Sequence, residues 1–114
     1  KEGNMPEKSI YHITEKGNKY FLELMKKISA QMVNIFLDFN AVIINLEMVS
    51  PLERKELTEN IEYQIRQFQK AVLQLKEERT DIPFTGKTIL KQQVFLSEAL
   101  NKWIENFREL YLEE

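Results

Sequence analysis

Ser50-Pro51-Leu52-Glu53 marks a helix start more sharply than any other segment of this chain. Ser50 is an N-cap, Pro51 takes the first helical position, where its missing N–H costs nothing, and Glu53 closes a capping box. Beyond it, Leu57, Ile61, Ile65, Phe68, Val72 and Leu75 recur at the spacing of one helix face, to about Glu78. Tyr63, Ala71 and Leu73 lie to the side, and Glu62 and Arg66 form a favourable i,i+4 pair. Only three glycines and three prolines interrupt the 114 residues, so long helices are permitted. Upstream, Tyr20, Leu24, Ile28, Met32, Ile35, Phe39, Ile43, Leu46 and Val49 continue the same spacing. This allows one long helix or two, with a break expected near residues 29–34. Residues 32–49 are apolar nearly all round, a pattern that demands cover on several sides.

Residues 79–86 read as the one definite loop, and the last helix is expected from about Lys87 almost to the C-terminus. Its main stripe is Leu96, Leu100, Trp103, Phe107 and Leu110. A second line, Leu90, Val94, Ile104 and Tyr111, makes it adhesive on two faces: one for the core, the other for a partner. The expected fold is all-α, with three to four helices.

Hydrophobic residues are 43% of the chain and charged residues 30%, enough apolar surface to build a core. No apolar run approaches the ~18 residues of a membrane span. The absence of cysteine removes disulfides, thiolate metal ligands and a cysteine nucleophile, and fits a reducing cytoplasm. The formal charge is −2, too acidic for gripping phosphate backbones by bulk charge. The balance is uneven: residues 1–27 hold six Lys against four Glu, a net of +2, and residues 28–114 a net of −4.

No set of side chains points to catalysis, to a metal or to a cofactor, and the chain reads as a non-enzyme. His12 is the only histidine and lacks a second ligand at metal spacing. Gly86-Lys87-Thr88 copies the end of a phosphate-binding loop, but Asp81 stands where the motif needs its first Gly. No hydrophobic strand precedes it. Glu53, Glu56, Glu59 and Glu62 step along a helix in threes and read as a solvated face. Tyr63, Phe68, Phe95, Trp103 and Phe107 are candidates for a pocket that holds a flat hydrophobic effector, with Tyr63, Phe68, Phe95 and Trp103 preferred. The simpler reading of the same residues is plain core or dimer interface.

Ser9-Ile10-Tyr11-His12-Ile13-Thr14-Glu15-Lys16-Gly17 combines a short alternating strand with a Thr-capped helix start, after a turn-rich segment at residues 1–7. It resembles the wing-to-helix junction of the PadR family of bacterial transcriptional regulators, where a strand leads into Tyr-x-Leu/Ile-Thr-x-x-Gly. MarR regulators carry a related junction. Residues 33–112 are similar to the larger helical C-terminal domain of PadR proteins, in Phe36-Leu37-Asp38-Phe39, the helix opening at Ser50-Pro51, and the last helix around Gln92–Trp103. The resemblance implies that residues 1–17 are a wing remnant and residues 18–114 a helical dimerisation and effector-sensing domain. The chain would be a fragment that lacks the helix-turn-helix.

Lys8, Lys16 and Lys19 would then touch DNA phosphates in the parent protein, and a homodimer would form through Phe36, Phe39, Ile43, Leu96, Leu100, Trp103, Phe107 and Leu110. A small hydrophobic or aromatic effector is the implied ligand; DNA is reached only through the missing winged helix, and no membrane is involved. Lys8 and His12 depart from the more basic wing strand of the family. The competing readings are a MarR-like C-terminal part and a helical protein-interaction module with no regulatory role.

Overall fold

The computed structural model describes residues 14–112, and all regular structure among them is helical. The chain divides into two compact units, Lys1–Phe36 and Leu37–Glu114. The strand expected at residues 9–13, with Lys8 and His12, lies outside the described residues.

The first unit contains α1, Glu15–Ser29. Thr14 caps it in extended backbone, its hydroxyl accepting the Gly17 N–H at 2.9 Å. Glu15 in the first turn and Lys26 and Lys27 in the last complement the helix dipole. The helix ends where the Ser29 hydroxyl donates to the Lys26 carbonyl at 2.9 Å and the Ala30 N–H is shared between Lys26 and Lys27. Residues 32–37 carry no regular structure. The break therefore falls where the spacing placed it, but the helix does not resume at once. Asn34, Asp38 and Asn40 are all residues whose side chains compete with helical hydrogen bonds.

The second unit opens with the short α2, Asn40–Ile44, in place of the expected helix over 32–49. The Asn45 side chain donates back to the Ala41 carbonyl at 2.7 Å and ends it, and a 3-10 turn follows at Leu46–Met48. Leu46 is buried there, and its carbonyl accepts from Arg54 Nε at 3.0 Å. Next comes α3, Pro51–Glu78. Both halves of its capping box form: the Glu53 N–H donates to Ser50 Oγ at 3.2 Å and the Ser50 N–H to Glu53 Oε1 at 3.0 Å.

The bond from the Ser50 N–H, followed by that from its side chain, holds the Glu53 carboxyl below its ordinary value. Ser50→Ala should cost about 1 kcal/mol in urea unfolding. A depressed carboxylate stabilises the fold at pH above its ordinary range and loses that effect as pH falls through the folded value. The Glu53 contribution should accordingly vanish on acidification: Glu53→Gln should lower the urea midpoint at neutral pH and leave it unchanged at a pH low enough to protonate Glu53.

The last long helix, α4, spans Phe84–Phe107, with Pro83 as N-cap. It begins a turn earlier than expected at Lys87. Pro83 already has the fixed φ that suits a helix entry, and its carbonyl accepts the Lys87 N–H at 3.0 Å. A π-helical turn, Arg108–Leu112, extends it.

Gln69 bonds Asn101 and Glu62 bonds Arg108, so α3 and α4 run antiparallel, joined by residues 79–83. Ile61, Ile65 and Ile104 form the core, with Phe39, Val42, Ile43, Leu100, Trp103 and Phe107 packed around them. The second line on the last helix is thus the more deeply buried one: Val94 and Ile104 are buried, and the main stripe is only half-buried or exposed. Ser97 is fully buried, its hydroxyl donating to the Val94 carbonyl at 2.7 Å, and lets the helices approach. Asn101 donates to Gln69 at 2.8 Å and so fixes the register of the pair.

Candidate interaction surfaces

Four rings line one side of the second unit. Phe39 stacks on Trp103 with centroids 5.6 Å apart and planes at 15°. Trp103 meets Phe107 at 5.6 Å and 25°, and Phe107 meets Tyr111 at 5.2 Å and 28°. Steps of four residues along the end of α4 bring the last three into line, and the turn before α2 supplies Phe39. All four are half-buried. The column covers the isoleucine core with one edge and leaves the other open, an arrangement suited to an apolar partner surface.

The residues expected at a dimer interface divide accordingly. Phe39, Ile43, Leu100, Trp103 and Phe107 pack on their own core, and Leu96 is half-buried. Leu110 is 65% exposed. Phe36 is 86% exposed and belongs to the first unit. On α1, Tyr20, Phe21, Leu24, Met25 and Ile28 recur on one side, and the helix buries none of its residues. Lys16 and Lys19 are exposed on it.

The four aromatics expected around an effector are not drawn into either of the two clefts described below. Tyr63 and Phe95 are exposed, Phe68 is half-buried, and Trp103 is in the ring column. Phe95 and Trp103 are about 12 Å apart along one helix axis. Phe95 instead carries the Lys91 ammonium 5.9 Å from its ring centroid.

Glu62 overturns part of the solvated-face expectation. It is 8% exposed, and its two oxygens accept from Arg66 Nη2 at 2.8 Å and Arg108 Nη1 at 2.7 Å. The i,i+4 pair with Arg66 is the expected one. Arg108 comes from a different helix and was not legible. Together with Glu105 and Glu109 these residues line an open cleft of about 300 Å³. Arg108 Nε and Thr58 Oγ1 are buried and have no hydrogen-bond partner. Among the described residues, no group of His, Asp or Glu has the arrangement of a metal site.

A second cleft, about 340 Å³, opens where α3 turns into α4, lined by Lys76, Arg79, Thr80, Lys87, Leu90 and Lys91. The only hint in the sequence is two short basic pairs, Lys76 with Arg79 and Lys87 with Lys91, which a tight hairpin must bring together. The Gly86-Lys87-Thr88 segment lies inside the opening turns of α4, not in a loop before a helix. The Thr88 hydroxyl donates to the Phe84 carbonyl at 3.0 Å. A Cβ on Gly86 would sit 3.3 Å from Ile82 Cδ1, so a larger residue there would need the Ile82 side chain to shift by a few tenths of an ångström.

Among the described residues, no helix is long and apolar enough to cross a membrane. Compared with family models, curated proteins and solved structures, the chain matches none of them.

Proposed function

We propose that this chain is the helical dimerisation module of a PadR-like DNA-binding regulator, with two copies associating through α1 and the open edge of the ring column. The observation that carries this reading is α1. A 15-residue helix is marginal in water unless its apolar face is covered. Its stripe of Tyr20, Phe21, Leu24, Met25 and Ile28 has no cover among the described residues of its own unit. The junction sequence Tyr11-His12-Ile13-Thr14, similar to the one that joins a winged helix to its helical domain, supports the link to DNA binding, which a winged helix would carry out. Burying paired stripes sets the distance between two DNA-reading domains. A small hydrophobic effector that prefers one arrangement shifts the population and with it the operator affinity.

Sedimentation of the chain over a concentration series tests this. A dimer that persists on dilution is the expected result. Each fully buried Leu, Ile or Phe contributes about 1.5–3 kcal/mol, so Leu24→Glu with Ile28→Glu should shift the mass to monomer. The circular dichroism of the α3–α4 hairpin should survive. A folded monomer at every concentration would refute the proposal and leave the reading of an interaction module for a different partner.

A further inference from the structure

We infer that the cleft at the α3–α4 turn binds a small organic phosphate. This assignment is independent of dimerisation. Lys76 and Arg79 reach the cleft from the end of α3 and Lys87 and Lys91 from the first turns of α4, with Thr80 between them and Leu90 in the wall. Among the described residues, none of these four cations is in an ion pair; the ion pairs there join Glu62 to Arg66 and Arg108. Glu77, Glu78 and Asp81 are near in sequence but do not line the cleft, and Glu78 is engaged by the Gln74 side chain at 3.0 Å. The Lys91 ammonium lies over the Phe95 ring at the rim, and the exposed Lys76, Arg79 and Lys87 border the cleft with no acidic side chain in its lining, a local excess of positive charge that favours an anion.

The chemistry narrows the ligand. A single carboxylate answers one cation, whereas a phosphate monoester carries up to two charges and three acceptor oxygens. Arg79 presents a planar fork that matches phosphate oxygens in pairs, the lysines act as point charges, and the Thr80 hydroxyl can donate. The wall of Leu90 and the aliphatic lysine stems suits an apolar body attached to the phosphate. A volume near 340 Å³ is at the small end of ligand sites. Residues 28–114 carry a net charge of −4, which opposes a long polyanion but not a small one.

Calorimetric titration of the full chain with phenyl phosphate, inorganic phosphate and phenol tests the assignment. Saturable one-site binding of phenyl phosphate is expected, with the other two weaker by about tenfold or more. Lys87→Gln with Lys91→Gln should weaken phenyl phosphate by at least about tenfold while circular dichroism is unchanged. Arg79→Lys keeps the charge and loses the fork, and should weaken it severalfold. Absence of saturable binding, or binding that ignores the double substitution in the folded protein, overturns the proposal. Equal affinity for inorganic phosphate removes the organic body from it. Capture by phosphatidic acid vesicles or duplex DNA without phenyl phosphate binding overturns it in favour of a surface for those polymers or lipids.

Discussion

Ile104→Ala is expected to cost about 2–5 kcal/mol of unfolding free energy. Ile104 is 0% exposed and packs with Ile61 and Ile65 at the centre of the second unit, under Trp103 and Phe107. Truncation removes three carbons from the best-covered position in the hairpin. The ring column above is already engaged in stacking and has little freedom to fill the hole. Domains of this size hold only ~5–15 kcal/mol in total, so the variant should be close to unfolded at moderate temperature. Urea denaturation followed by Trp103 fluorescence should show a lower midpoint with an unchanged slope. Leu110→Ala is the matched control: its side chain is 65% exposed, and the change should stay within about 0.5 kcal/mol. Similar losses at both positions would mean that the main stripe contributes to the core as much as the second line does.

Glu62→Ala is expected to cost about 2–3 kcal/mol. It leaves the Arg108 guanidinium, whose Nε is already without a partner, facing an empty place beneath it. The full figure for breaking a buried ion pair is ~3–5 kcal/mol; it is discounted here because the Arg66 and Arg108 side chains are 60% and 35% exposed. Arg66→Ala should cost only ~0.3–0.5 kcal/mol, the usual worth of an exposed i,i+4 pair. Replacing both partners, Glu62→Met with Arg108→Met, should recover most of the loss, because no orphaned charge remains. A double-mutant cycle measures this directly, and additive losses would show that Glu62 and Arg108 do not depend on each other.

Local chemistry was legible and long-range partnership was not. The start of α3 could be read because Ser50, Pro51 and Glu53 satisfy one another within four residues. Thr14 could be read as a cap for the same reason. Glu62 reads as a solvated carboxylate in the sequence because its second arginine is 46 residues away and lies on another helix. Thr58, fully buried, carries a polar label that hides its place in the stripe. On α4 both apolar lines fit a helical period equally well. Only the approach angle of α3 decides that Ile104 points inward and Leu110 outward. The same holds for the basic cleft, whose four cations are two unremarkable pairs until residues 79–83 fold them together.

The turn at residues 79–83 also sets a folding order. With α3 and α4 antiparallel, contacts nearest the turn close the shortest loops, and each later pair spans a longer one. Gln69 with Asn101 are 32 residues apart, and Glu62 with Arg108 are 46 apart. Closure entropy grows only slowly with loop length, and mostly local contacts favour fast folding. The hairpin should therefore zip from the basic cleft towards the ring column within milliseconds. The Glu62–Arg108 rung closes the longest of these loops and forms last, but it borders the deepest core, so slow-exchanging amides should concentrate around Ile61, Ile65 and Ile104 and fade beyond Arg108 towards Tyr111.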